Sequence, residues 1–144
     1  MDNHTLSHLL QNYPYTASYF QGVFAADTLP NIKRGACYVI NTDNYDEPGQ
    51  HWTCIFAPLG AGSIEYFDSY GRPMIGPVVQ LLGNQKVIYN TQQLQSLYSD
   101  VCGHYIVYYL LHRCRGHSMQ SIVNRFTKDV HRNDKDVYYF ITNT

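Results

Sequence analysis

Two apolar, strand-like runs, Trp52 to Pro58 and Ser63 to Asp68, are separated only by Leu59 to Gly62, a four-residue joint containing two glycines. A joint of that length and composition suits a hairpin loop, so the two runs are expected to pair as antiparallel strands. Pairing from 52 to 68 brings residues 51 and 68 to the same end of the hairpin. A further strand-like run covers Ala36 to Asn41 and another Lys86 to Tyr89, with Pro77 at a first helical position before Val78, Val79, Leu81 and Leu82 between them. Ahead of the strands, residues 3 to 12 put Leu6, Leu9 and Leu10 on one helical face and stop at Asn12-Tyr13-Pro14.

From Cys102 the apolar period lengthens: Ile106, Tyr109, Leu110 and Arg113 follow at steps of three and four until Gly116. Two more helices are expected, from Ser118 to about Arg132 and from about Asp134 onward. The order is helix, strands, helix, strand, helices. That is an α+β arrangement, with a sheet carrying the Cys102 helix on one face. The 144 residues are read as one domain, 1–144, long enough to bury a core, with neither repeat nor linker.

No apolar stretch approaches the roughly twenty residues of a membrane span, and Met1-Asp2-Asn3-His4 lacks a basic, apolar leader, so the expected location is intracellular. The four cysteines show no framework spacing and are expected as free thiols. Ten basic against eleven acidic residues give no global basic field for nucleic acid.

Chemistry enters where the loop Asp100-Val101 turns into the helix opening Cys102-Gly103-His104. Unpaired amides at a helix start favour thiolate over thiol and can later hold an oxyanion, which makes Cys102 a candidate nucleophile rather than a small buried hydrophobe. Cys37 and Cys54 alternate with apolar residues in strands, and Cys114 ends a helix; those three read as packing residues. Of seven histidines, His104 lies two residues along the helix and faces away from Cys102. His4 and His8 belong to a terminal helix, and His112, His117 and His131 to charged helical surfaces. His51 stands at a strand end where a scaffold can present it as a base, and Asp68, at the same end of the hairpin, can orient its ring. Alone, His51 would be a surface histidine and Asp68 a turn cap. An oxyanion needs a second donor, for which Gln92, Gln93 and Gln95 are equivalent on residue type. Cys102, His104, Cys114 and His117 are spaced superficially like zinc ligands. The intervening helix, rising about 1.5 Å per residue, would hold the two pairs roughly 15 Å apart, and no metal site is expected.

In order along the chain, Tyr19 to Phe24, Ala36 to Thr42, Gly49-Gln50-His51-Trp52, Tyr66 to Gly71, Gln95 and Cys102-Gly103 resemble the adenovirus maturation protease (adenain) family and the related ubiquitin-like-protein-specific cysteine proteases. The resemblance implies an adenain-like, papain-like fold and a cysteine endopeptidase with His51 as base, Asp68 as its partner and Cys102 as nucleophile. Its viral branch places the oxyanion glutamine seven residues before the cysteine, which selects Gln95. It further implies cleavage of viral capsid or core precursors near glycine, in the infected cell or virion, with Trp52 and Gly103 beside the substrate. Trp52 could wall a narrow slot or simply pack in the core. A ubiquitin-like modifier is the alternative substrate, and a non-catalytic protein-binding module the alternative from another class. Three departures matter. Asp68 stands where adenovirus enzymes have glutamate, with the same hydrogen bond. No cysteine between Cys54 and Cys102 is present to bind an activating peptide, and the near-neutral charge speaks against DNA as a cofactor. No other cofactor is expected.

Overall fold

The computed structural model describes residues 1–42 and 51–144; the turn expected at Glu47 to Gln50 lies outside them. Five strands form one sheet in the order β1 (Phe20–Ala25), β2 (Ala36–Asn41), β3 (Trp52–Ala57), β4 (Ile64–Phe67) and β5 (Val87–Tyr89). The outer pairs β1/β2 and β4/β5 are parallel, and the inner pairs are antiparallel. The expected hairpin forms, with Cys54 opposite Phe67, Ile55 opposite Tyr66 and Phe56 opposite Glu65. Strand β1 was not anticipated, because the aromatic run at 19–24 does not alternate in polarity. It pairs through its backbone with β2, which is buried nearly throughout.

Side chains alternate across the pleat, so each inner strand feeds two cores. Cys37, Val39, Cys54, Phe56 and Phe67 face a cluster with Leu6 and Leu10 of α1 (Asn3–Asn12) and Tyr105, Ile106, Tyr109 and Leu110 of α3 (Cys102–Cys114). Tyr38, Ile40, Ile55, Ile64 and Tyr66 face the opposite cluster, closed by Val78 and Leu82 of α2 (Gly76–Leu82). The helix expected from Ser118 to Arg132 breaks in two. Short α4 (Met119–Val123) is capped by the Ser118 side chain, and α5 (Val130–Thr142) starts earlier than expected, capped by Asp129. Asn133 causes the break: its carbonyl oxygen accepts from the Thr127 amide at 3.0 Å and its amide donates to the Thr127 carbonyl at 2.8 Å, drawing those backbone groups away from a continuous helix.

One polar strut fixes α3 on the sheet. Glu65 in β4 receives Arg113 through two bonds of 2.8 Å and the Tyr109 hydroxyl at 2.8 Å. The fork geometry suits a guanidinium facing a carboxylate, and it ties the strand that ends at Asp68 to the helix that begins at Cys102.

Candidate active site

Cys102 is the first residue of α3 and 2% exposed, with the helix amides opening behind it. His51 precedes β3 and Asp68 follows β4, so the hairpin register sets both at one end of the sheet. The imidazole Nε2 lies 2.8 Å from Asp68 Oδ1. Nδ1 is buried and has no hydrogen-bond partner among the described residues, while Cys102 is one of the groups that act on the ring's pKa. Burial alone would pull the imidazole pKa down, but Asp68 and Cys102 outweigh it and raise the value to about 9. A partly buried imidazole whose charged form is favoured by a neighbouring carboxylate is a group that can stabilise a nearby thiolate.

Asp68 is itself anchored. Its backbone N–H donates to Asn90 Oδ1 at 3.0 Å, its carbonyl accepts from Asn90 Nδ2 at 2.6 Å, and its second role is as a turn cap, accepting the Tyr70 amide at 2.8 Å. The same oxygen, Oδ1, thus accepts the Tyr70 amide and meets the His51 ring. Asn90 and Tyr70 are the residues that sequence reasoning missed. Tyr70 packs on His51 in a tilted arrangement with ring centroids 4.5 Å apart, and the Arg72 guanidinium lies 4.6 Å over the Tyr70 ring. Continuing the β3/β4 register places Tyr70 opposite His51, so the aromatic at that position was the available signal.

Of the three glutamines, Gln92 and Gln93 are exposed and Gln95 is fully buried, with Ser69 on its carbonyl oxygen at 2.6 Å. Trp52 is 2% exposed and donates from Nε1 to Asn3 Oδ1 at 3.0 Å. A Cβ at Gly103 would stand 3.2 Å from the Trp52 ring and 3.2 Å from the Met1 sulfur, so this glycine admits close packing of the indole on the helix start. His104 stacks on Tyr138 instead of turning to the sulfur, and burial lowers its pKa. His112 departs from its expected surface position: it is 5% exposed, with Nδ1 2.8 Å from the Tyr108 carbonyl. The helix buries nearly its whole circumference, so a face that reads as polar becomes interior. Cys37 and Cys54 are buried free thiols, and Cys114 is partly buried.

No protein-family model matches the chain. The chain is 30% identical, over 123 aligned residues, to a cysteine protease of African swine fever virus from a Malawian tick isolate, and equally to a SUMO-1 cysteine protease of a South African tick isolate of that virus. Each alignment takes in 72% of this chain and 41% of the relative, so the chain spans about two fifths of the length of the curated relatives it matches. The crystal structure of the African swine fever virus protease superposes with a TM-score of 0.64 at 20% identity, covering 92% of this chain and 63% of that one. Its selenomethionine form gives 0.52 at 26% identity, covering 70% and 43%. The chain therefore has the α+β fold of that viral protease, and over the aligned residues its sequence is similar to that of the viral cysteine protease.

Proposed function

We propose that the chain is a cysteine endopeptidase in which Cys102 is the nucleophile, His51 the base and then acid, Asp68 the group that orients the ring, and Gln95 an oxyanion donor. The observation that carries this is the 2.8 Å contact of His51 with Asp68 at one end of the sheet, with Cys102, the first residue of a helix, among the groups that act on the same ring. The Cys102 thiolate adds to the scissile carbonyl, whose π electrons move to oxygen. The Cys102 backbone N–H and the Gln95 amide are suited to receive that oxyanion. Collapse expels the amine, which takes its proton from His51. Water then hydrolyses the thioester, giving up a proton to His51, and the thiolate and imidazolium are restored.

The substrate reading is a viral structural precursor cut near glycine, inside the infected cell or virion, with the 1–144 chain acting as a single catalytic domain. It is supported by the viral source of the relatives and, for the narrower likeness to the adenovirus branch, by the seven-residue step from Gln95 to Cys102. A second reading, a ubiquitin-like modifier as substrate, is favoured by a relative named for SUMO-1. Glycine-containing fluorogenic peptides set against modifier fusions separate the two. In either case Cys102→Ala is expected to lower turnover by on the order of 10⁴-fold or more with the fold intact. Cleavage retained by that variant, checked by circular dichroism for folding, would remove Cys102 from the reaction.

A further inference from the structure

The two ends of the Gln95 amide are held unequally. The group facing Ser99 meets a backbone carbonyl oxygen at 3.2 Å and the Ser99 hydroxyl at 3.1 Å. A backbone carbonyl only accepts, so that end of the amide is the NH₂. The carbonyl oxygen Oε1 must then face Ser69, whose hydroxyl donates to it at 2.6 Å. The Ser69 backbone carbonyl also accepts the amides of Leu94 and Gln95, at 2.8 and 3.1 Å. Ser69 and Gln95 are both 0% exposed. The oxygen end is thus short-bonded and anchored, and the nitrogen end is held by two longer bonds.

The backbone around Gln95 is fixed from the other side as well. The Leu94 carbonyl accepts the Tyr105 hydroxyl at 3.1 Å and the Asn133 amide at 3.0 Å, from α3 and α5. Rotation of the terminal amide by half a turn would exchange a donor for an acceptor. An acceptor turned toward a developing oxyanion would repel it.

We propose that Ser69 is a positioning residue for the oxyanion: its hydroxyl pins Gln95 Oε1, so that the end turned away from Ser69 is the NH₂, from which one N–H exchanges its Ser99 acceptor for the charge formed on the Cys102 adduct. Donation into Oε1 also polarises the amide and strengthens its N–H as a donor. Ser69 directly follows Asp68, so a single turn presents the partner of the histidine through one residue and the orientation of the glutamine through the next. The inference rests on the protease reading above and assigns Ser69 a role that acts only once an oxyanion exists.

The test uses the full chain, a glycine-containing fluorogenic peptide, a glycine-terminated peptide aldehyde and iodoacetamide. The aldehyde accepts the thiolate to give a hemithioacetal with a negative oxygen; iodoacetamide is attacked at a saturated carbon with loss of iodide and forms no oxyanion. Ser69→Ala is expected to lower kcat by about 10- to 100-fold with KM within about twofold. Aldehyde affinity falls by a similar factor, and the pH profile of Cys102 alkylation stays as in the wild type. In a Gln95→Ala background, removing the Ser69 hydroxyl costs nothing further. Ser69→Cys, close in size and a weaker donor, falls between wild type and Ser69→Ala and serves where the alanine variant does not fold. Wild-type aldehyde affinity in these variants, additive losses in the double variant, or equal losses in alkylation and aldehyde binding would each overturn the role of Ser69. A wild-type chain with no Cys102-dependent cleavage overturns the protease reading itself, and this inference with it.

Discussion

Burial pulls the pKa of the His51 imidazole down, but Asp68 and Cys102 raise it to about 9, well above the ordinary histidine value of 6.5. A folded-state pKa raised above the unfolded one contributes stability that is fully present below about pH 6.5 and is lost as pH rises through about 9. In the proposed reaction this proton belongs to the imidazolium that activates Cys102, so the descending limb of kcat/KM should fall near pH 9, and Asp68→Asn should move that limb to lower pH. A pH–rate profile of the two proteins checks this; an unmoved limb would separate Asp68 from the titration. At Gly71 the constraint is steric. Its φ is +69°, and a Cβ there would stand 2.6 to 2.7 Å from the backbone oxygens of Thr91 and Gln92. Gly71→Ala is therefore expected to shift the Asp68 turn, costing about 1 to 3 kcal/mol of stability in denaturant titration together with loss of activity.

Among the elements, the strand that ends at Asp68 and the helix that starts at Cys102 are connected by the Glu65, Tyr109 and Arg113 strut as much as by apolar packing. A buried carboxylate deprived of its partner keeps the cost of desolvation and loses the attraction that offset it. Arg113→Met is expected to cost about 3 to 5 kcal/mol, whereas Glu65→Leu combined with Arg113→Met should cost much less, since an apolar pair leaves no orphan charge. Thermal or urea unfolding of the single and double variants measures both; equal losses would show that the strut is ordinary packing. The hairpin is the element whose position was legible from sequence, because a four-residue joint with two glycines leaves its flanking strands little choice but to pair. Strand β1 and the break between α4 and α5 were not legible. The first takes its identity from the neighbour it hydrogen-bonds, and the second from Asn133, whose partners at Thr127 and Leu94 are set by the fold.

For the molecule as a whole, β2 and β3 contribute alternate side chains to the clusters on both faces of the sheet, so neither core survives loss of the other. Unfolding is accordingly expected as one transition, coincident by far-ultraviolet and near-ultraviolet circular dichroism; separated midpoints would show that the α2 side melts independently. By itself the sequence determined the α+β class, the hairpin, the helix opening at Cys102, and the juxtaposition of residues 51 and 68 at one hairpin end. These follow from local period and turn chemistry, which act between residues near in the chain. Among the three glutamines, residue type could not choose; family resemblance selected Gln95, and burial against Ser69 distinguishes it physically. Only the tertiary structure decided that Tyr70 covers the imidazole, that Asn90 grips the backbone of Asp68, and that Trp52 packs on Gly103. Those contacts depend on which surfaces meet when the sheet receives its helices, and no periodicity along the chain encodes the distance between atoms brought together from separate segments.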